Sequence, residues 1–218
     1  LPVTPVQSAA TSRPEILSFR MRLILASASP RRAELLTSAG YRFEVQTADI
    51  DERVRPGEAA EDYVQRLAIE KARAALERTN DPSDDVLTIG ADTAVIVDNE
   101  ILGKPVDDEE SARMIRQLAG GAHRVLSGVS LCGRTLQFDA VDETLVFVQP
   151  LTERDIAWYV ESGEGRDKAG AYAIQGLAAR FIPRIDGSYS NVVGLPVAVV
   201  AELLARAESR LRFLASRS

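Results

Sequence analysis

Apolar and polar positions follow two different periods along the chain, and the alternation between them predicts intermixed strands and helices. Runs of apolar, β-branched residues predict strands at residues 22–26, 41–47, 86–97, 124–132 and 136–148. Apolar residues at every third or fourth position predict helices at residues 33–39, 58–78, 107–118, 153–162 and 197–214. Helix-start signals precede three of these helices, at Ser29 with Pro30, at Thr152 and at Pro196. Because both crossover and hairpin connections occur, the pattern predicts an α/β fold with a mixed sheet.

Length, composition and charge exclude several classes of function for this chain. A chain of 218 residues is long enough to bury a core as one domain or as two lobes around a cleft. Its formal net charge of −6 argues against general binding of nucleic acid, which needs a broad basic face. Cys132 is the only cysteine, so no internal disulfide forms. No apolar run reaches the ~20 residues of a membrane helix. We therefore expect a cytoplasmic protein with neither a nucleic-acid nor a membrane partner.

Residues 1–20 differ from the rest because they are rich in Pro, Ser and Thr and show no period. They lack the continuous apolar core of ~7–15 residues of a secretory signal. Arg13, Arg20 and the serines fit a transit peptide weakly, whereas Glu15 and the prolines argue against an amphipathic helix. We expect Met21 to be the natural start, residues 1–20 to be a flexible extension and residues 21–218 to form a single domain.

The loop SASPRR, residues 27–32, joins the first strand to the first helix. A helix N-terminus attracts anions through its unpaired N–H groups and its dipole. Arg31 and Arg32 occupy this first turn, where each cation costs about 0.3–1 kcal/mol against the dipole. A bound phosphate would offset that cost, and arginine donates to phosphate in bidentate fashion. From the spacing alone, two solvated arginines beside a capped helix remain an equal alternative.

Two charged residues fall on otherwise apolar surfaces. Lys71 lies on the apolar stripe of the second helix, so it needs a partner or a ligand unless its head reaches water past the core. Asp92 and Thr93 interrupt the apolar strand at residues 86–97. A buried carboxylate of this kind often marks a metal ligand or a general base. The alternative is a carboxylate that caps a bulge at Gly90.

Two loops carry further charged candidates. Asp49, Asp51 and Glu52 follow a strand and, with Asp92, offer oxygen ligands of the kind that Mg²⁺ shares with substrate phosphates. A solvated acidic loop is the alternative for this cluster. Lys104 follows a predicted tight hairpin and is placed to fold back toward Asp92, although a loop lysine is usually only solvated.

The small-residue segment DKAGAYAIQG, residues 167–176, would let a ligand approach the backbone. Tyr172 and Gln175 are its candidate contacts to a nucleobase, and a glycine-rich turn around a core tyrosine is the alternative.

His123 is the only histidine, so a Ser-His-Asp or Cys-His site would depend on it; we expect it to be an incidental loop residue. The sequence has no cluster of soft ligands for zinc.

Seven segments in order resemble the Maf family of nucleotide pyrophosphatases. They are LASASPRRAELL, ADIDE, RLAIEKA, IGADTAV, LGKP, DKAGAYAIQG and GSYSNVVGLP, and the match runs from Leu23 to about Leu203. The resemblance implies a mixed, twisted sheet with helices on both faces and two lobes around a central cleft, similar to inosine triphosphate pyrophosphatases. It also implies hydrolysis of a nucleoside triphosphate to the monophosphate and pyrophosphate with a divalent metal, Mg²⁺ or Mn²⁺.

The family's functional positions carry over residue by residue. The resemblance implies that Asp92 is the catalytic base, that Glu52 and Asp92 hold the metal, and that Arg31, Thr93 and Gln175 select the substrate. The other implied cleft residues are Ser27, Ser29, Arg32, Lys71 and Lys104. A homodimer is a further possibility.

The segment at residues 167–176 resembles the branch that acts on dTTP and UTP. Gly103 departs from that branch, whose members can carry an acidic residue there. The alternatives are the 7-methyl-GTP or CTP branch, and a nucleotide-binding regulator of cell division with little turnover.

Overall fold

A computed structural model describes residues 21–217 apart from Asn80, Pro82 and Asp84, so the expectations for residues 1–20 lie outside the described residues. The strands are β1 (Arg22–Leu25), β2 (Glu44–Val45), β3 (Val86–Val97), β4 (Glu100–Leu102), β5 (Ala122–Cys132), β6 (Gln137–Phe147) and β7 (Arg184–Asp186). The α-helices are α1 (Pro30–Ser38), α2 (Ala60–Arg78), α3 (Asp108–Leu118), α4 (Glu153–Glu161), α5 (Tyr189–Val193) and α6 (Val197–Ala215). Two 3-10 helices span Ala169–Ala171 and Leu177–Phe181.

All of these strands belong to one mixed sheet in the order β2-β1-β3-β5-β6-β7, with β4 also paired to β3. The β1–β2 and β1–β3 pairs are parallel, and the other pairs are antiparallel. The predicted mixed α/β class is therefore confirmed.

The central strand β3 has one continuous edge and one divided edge. It pairs with β5 without a break from Thr88 to Ile96, so there is no bulge at Gly90. On its other edge, pairing with β1 ends at Ile89 and pairing with β4 begins at Val95. Residues 90–94 thus have no strand partner on that side within the described chain. Asp92 lies in the middle of this gap.

Side chains alternate between the faces of β3, and each face has its own helices. Leu87 and Ile89 pack in a core with residues of α1 and α6, and Val95 packs in a second core with residues of α3 and α4. Ala94 points to the opposite face, where it packs with Val64 of α2. On the face of the sheet opposite α2, the helices therefore form two lobes. Helices α1 and α6 lie on one side of the gap, and α3 and α4 lie on the other.

Helix α2 lies unusually close to the sheet because two glycines face it. A Cβ atom on Gly90 would lie 2.0 Å from the carbonyl oxygen of Ala68, and one on Gly128 would lie 2.2 Å from that of Val64. Gly128 pairs directly with Asp92. These glycines thus permit a close approach of backbone to backbone.

Several predicted boundaries were wrong. Strand β2 has two residues instead of seven, because Tyr41 and Phe43 before it pack against the α1–α6 core. Helix α5 falls in a segment for which no helix was predicted. Ser29 is the N-cap residue of α1, but its side chain makes no capping hydrogen bond. Thr152, by contrast, caps α4 through a complete capping box. No helix among the described residues is long and apolar enough to cross a membrane.

Candidate active site

A cleft of about 540 Å³ opens at the gap along β3, between the two lobes. Every residue that the family resemblance assigns to the site lines it, although these residues come from six separate segments of the chain. They are Ser27, Ser29, Arg31, Arg32, Glu52, Lys71, Asp92, Thr93, Lys104 and Gln175. With Asp167 and Lys168, the lining holds five cationic side chains and three carboxylates. The cleft is therefore locally positive in a chain whose formal net charge is −6.

Lys71 joins the two carboxylates at the centre of the cleft. Its Nζ lies 2.7 Å from Asp92 Oδ1 and 2.7 Å from Glu52 Oε1. Lys71 is only 7% exposed and Asp92 only 9%, so the lysine head does not reach bulk water. A buried charge needs such pairing, and removal of either partner would leave the other uncompensated. The close packing of α2 on Gly90 holds Lys71 against Asp92.

Glu52 reaches this centre from the loop between β2 and α2. The hydroxyl of Tyr63, on α2, donates to the Glu52 carbonyl oxygen at 3.1 Å and fixes the loop. Partial burial opposes ionisation of Glu52, but the hydrogen bond from Lys71 and the charges of Lys71, Lys104 and Arg32 outweigh it and lower the Glu52 pKa. Burial and the charges of Asp92 and Glu52 raise the pKa of Tyr63 to about 12. Glu52 is thus an anion and Tyr63 a neutral donor at neutral pH.

Arg32 is held by the protein itself. Its Nε donates to the Gly194 carbonyl at 2.7 Å, one terminal nitrogen to Ser27 Oγ at 3.2 Å and the other to Thr93 Oγ1 at 3.2 Å. Burial lowers the pKa of Arg32, and the charge of Asp92 opposes that shift. Arg32 therefore ties the SASPRR loop to β3 and to the end of α5.

Arg31 and Lys104 differ from Arg32 in having no such ties. Neither side chain makes a hydrogen bond or an ion pair with any residue that the structure describes. Arg31 is half-buried and Lys104 is exposed. The first turn of α1 contains no acidic residue and no side-chain cap. Two cationic heads and a helix N-terminus are thus available to an anion in the cleft.

The hydroxyl of Thr93 is already engaged. It lies 2.7 Å from Ser127 Oγ, accepts from Arg32 and lies 3.2 Å from the Gly194 carbonyl oxygen. A hydroxyl offers one donor and two acceptor positions, so these contacts occupy it. Its geometry suits the orientation of Arg32, and its predicted contact to a base stays a prediction.

Gln175 lies at the far wall of the cleft, in the turn between the two 3-10 helices. It is exposed, and its amide makes no hydrogen bond to a described residue. Nearby, the Gly170 N–H donates to the Gly103 carbonyl at 3.0 Å and links this turn to the Lys104 loop. A Cβ atom at Gly103 would meet nothing within 4 Å, so its departure from the family pattern has no steric cause.

Three residues that the sequence analysis considered as candidates lie outside the cleft. Asp51 binds Arg53 at the surface, and Asp49 is exposed outside the cleft, so the expected acidic cluster contributes only Glu52. His123 is not in a loop as expected but lies near the start of β5, 2% exposed. Its Nε2 lies 2.8 Å from the Tyr172 hydroxyl, and burial lowers its pKa to about 4. It does not line the cleft.

The sequence interpretation missed Tyr63, Ser127 and Gly194. Ser127 had a signal, because it interrupts an apolar strand as Asp92 does, and it proves to pair directly with Thr93. Tyr63 lies two helical turns before Lys71 on the same side of α2. Gly194 acts through its carbonyl group, and a backbone acceptor leaves no trace in residue type.

The fold and the cleft define an α/β protein with a cationic cleft between two lobes. A family model described as Maf-like protein matches residues 22–207. The chain is 48% identical over 185 residues to the dTTP/UTP pyrophosphatase of Hahella chejuensis, which covers 85% of this chain and 92% of that one. It is 50% identical over 192 residues to that of Shewanella oneidensis, with 86% and 98% covered. The chain therefore belongs to the Maf family.

Among solved structures, the chain is similar to the Ham1 protein of Staphylococcus aureus. The TM-score is 0.47 at 15% identity, and the alignment covers 84% of this chain and 98% of that one. A nucleoside-triphosphatase, also titled dITP/XTP pyrophosphatase, from Mycobacterium abscessus gives a TM-score of 0.40 at 17% identity, with 89% and 98% covered.

Proposed function

We propose that this protein hydrolyses nucleoside triphosphates, preferentially dTTP and UTP, to the monophosphate and pyrophosphate. One observation carries the proposal: Asp92 sits in a cleft with cationic side chains free to take phosphate, in a chain 48–50% identical to proteins named dTTP/UTP pyrophosphatases. A binder without turnover would have little need of a nine-tenths buried carboxylate at the centre of its site.

In the proposed reaction, water attacks the α-phosphorus. Asp92 accepts a proton from the water, a new P–O bond forms, and the bond from the α-phosphorus to the bridging oxygen breaks. Pyrophosphate leaves with the electrons of that bond. Arg31 and Lys104 neutralise the charge that develops on the leaving group. Lys71 orients Asp92 through their hydrogen bond, and Arg32 orients the SASPRR loop that carries Arg31.

The donor set also fits a divalent cation. Mg²⁺ is usually bound by one or two carboxylates together with substrate phosphates. Glu52 and Asp92 provide two carboxylates, and the described residues contain no group of three or more His, Cys, Asp or Glu suited to a metal. We therefore propose that Glu52 and Asp92 hold Mg²⁺ or Mn²⁺ jointly with the triphosphate. When bound, the ion would supply positive charge to the phosphate oxygens.

Pyrophosphate release from dTTP, UTP, CTP and 7-methyl-GTP, with Mg²⁺ or Mn²⁺ present, tests the activity and the branch together. We expect dTTP and UTP to be turned over fastest. The variant Asp92→Asn keeps the shape of the side chain and removes the base, so turnover should fall by about 10²–10⁴.

Asp98→Asn is the matched control, because it makes the same substitution at an exposed position in the turn directly after β3, outside the cleft. It should retain wild-type turnover. Nucleotide binding by the wild type without pyrophosphate release would overturn the proposed function. Wild-type turnover in Asp92→Asn would overturn the role of Asp92 alone.

A further inference from the structure

We propose that Glu164 is a positioning residue that sets which nucleobase the cleft accepts, by fixing the turn that presents Gln175. The inference rests on the proposed function and concerns a residue outside the predicted site. Glu164 does not line the cleft; it lies behind the turn, just after the end of α4.

The Glu164 carboxylate binds the turn on the C-terminal side of Gln175. Its Oε1 accepts from the Leu177 N–H at 2.7 Å, and its Oε2 accepts from the Ala178 N–H at 3.2 Å. Hydrogen bonds from backbone N–H groups to a carboxylate are roughly twice as strong as neutral ones. The first two residues of the second 3-10 helix are thus fastened to one side chain.

The N-terminal side of Gln175 is fastened through the same carboxylate. The Tyr159 hydroxyl donates to Glu164 Oε2 at 2.8 Å and accepts from the Ala173 N–H at 3.2 Å. Tyr159 is 1% exposed, and burial raises its pKa, so the phenol stays protonated and able to donate. Backbone groups two residues before and two residues after Gln175 are therefore held by one connected pair of side chains.

The sequence of the turn accommodates this carboxylate. A Cβ atom on Gly176, next to Gln175, would lie 2.1 Å from Glu164 Oε1. Glu164 is itself held at its backbone, where its carbonyl accepts from Lys168 Nζ at 2.9 Å and its N–H donates to Ser162 Oγ at 3.3 Å. The pair Tyr159–Glu164 is thus a rigid base for the turn.

Rigidity here affects selectivity rather than chemistry. Gln175 has an unpaired amide that must meet donors and acceptors on the edge of a base, and a displacement of about 1 Å is enough to lose such contacts. The proposed phosphate contacts, Arg31 and Lys104, lie on other loops, and none of the hydrogen bonds of Glu164 within the described residues reaches those loops. Loosening the turn should therefore weaken recognition of the base and leave turnover of bound triphosphate largely intact.

The test compares Glu164→Gln and Tyr159→Phe with the wild type, measuring kcat and KM for dTTP, UTP and CTP. Gln has one acceptor oxygen in place of two, and Phe keeps the buried ring without the hydroxyl. Both variants should raise KM for dTTP, keep kcat within about threefold and lower the preference for dTTP over CTP by about tenfold. Backbone amides of residues 173–178 should exchange hydrogen faster in both variants.

Glu161→Gln is the control, because it removes a carboxylate from the exposed surface of α4, outside the cleft. It should match the wild type in selectivity and in amide exchange. An equal loss of activity on every nucleotide, together with lowered thermal stability, would show a merely structural role and overturn the inference. Unchanged selectivity in an active enzyme would also overturn it. If the wild type hydrolyses no triphosphate, the proposed function fails first.

Discussion

Arg31 and Arg32 are adjacent in sequence and have the same charge, but they lie in different environments. Arg32 makes hydrogen bonds to Ser27, Thr93 and Gly194, whereas Arg31 makes no hydrogen bond or ion pair with a described residue. The resemblance alone grouped both as cleft residues. Only their packing separates a side chain that organises the protein from one that is free for a ligand.

This difference predicts that the same substitution affects stability at Arg32 but not at Arg31. Arg31→Gln should leave the free energy of unfolding within about 0.5 kcal/mol of wild type and lower kcat/KM, because it removes a ligand contact only. Arg32→Gln should lower both the free energy of unfolding and kcat/KM, since it removes the hydrogen bonds that Arg32 donates to the Gly194 carbonyl and the Thr93 hydroxyl. Urea unfolding and steady-state kinetics on both variants measure the two effects. Equal destabilisation by the two substitutions would contradict the assignment.

At the scale of single residues, the sequence was most informative where a charge interrupts an apolar pattern. Lys71 and Asp92 were both singled out on that ground, and they are direct partners at 2.7 Å. The sequence did not reveal this pairing, because the two residues come from different elements whose docking depends on the sheet. It did not reveal the place of His123 either, since burial in a strand leaves no mark on an isolated histidine.

At the scale of elements, the docking of α2 on β3 and β5 determines the geometry of the site. Gly90 and Gly128 face the helix on neighbouring strands, and a Cβ at either position would collide with helix backbone. Backbone atoms cannot move aside as the end of a flexible side chain can. The helix would have to shift away from the sheet, and Lys71 would move with it.

Alanine at these glycines should therefore affect stability and activity to different degrees. Both Gly90→Ala and Gly128→Ala should destabilise the protein by about 1–3 kcal/mol through overpacking. Gly90→Ala should lower kcat more, because its clash falls at Ala68 and Ala72, the turn that carries Lys71, whereas Gly128 meets Val64 two turns away. Thermal unfolding and kcat for each variant provide the measurement.

Gly121→Ala serves as the control, because its new Cβ would lie 3.9 Å from the nearest atom and its backbone has no positive φ. It should leave stability and kcat close to wild type. A wild-type melting temperature in Gly90→Ala would show that α2 has room to move, and would contradict the account of how Lys71 is held.

Elements with strong periodicity were predicted well, and those that depend on tertiary contacts were not. Strand β3 has the predicted bounds, and α3 differs from its prediction by one residue. Strand β2 and α5 were misjudged because their conformations follow from neighbours: β2 exists only as the edge partner of β1, and α5 is held through Asn191, whose amide donates to the Val125 carbonyl and to Thr144 Oγ1.

At the scale of the whole molecule, the cleft separates two lobes that carry different parts of the site. Arg31 and Arg32 belong to the lobe of α1 and α6, whereas Lys104 and Gln175 lie in loops beside the lobe of α3 and α4. Asp92 lies between them on β3, a strand that contributes residues to the cores of both lobes. A triphosphate held by both sides would link the lobes across the gap in the sheet.

Such a ligand should stabilise the folded molecule as a whole. A ligand at 100 times its Kd adds about 2.7 kcal/mol, and each kcal/mol shifts the melting temperature of a chain of this size by about 2–4 °C. A non-hydrolysable α,β-imido analogue of dTTP with Mg²⁺ should thus raise the melting temperature by about 5–10 °C. Inorganic pyrophosphate with Mg²⁺ should give a smaller shift, because it reaches the phosphate contacts but not Gln175.

Substitutions in each lobe separate the contributions of the two lobes to this shift in melting temperature. Arg31→Gln should reduce the shift for both ligands, because both depend on the phosphate contacts of the first lobe. Gln175→Ala should reduce the shift for the imido analogue only, because pyrophosphate carries no base. If Gln175→Ala reduced both shifts equally, the turn would bind phosphate rather than the base, and the division of the site between the two lobes would be wrong.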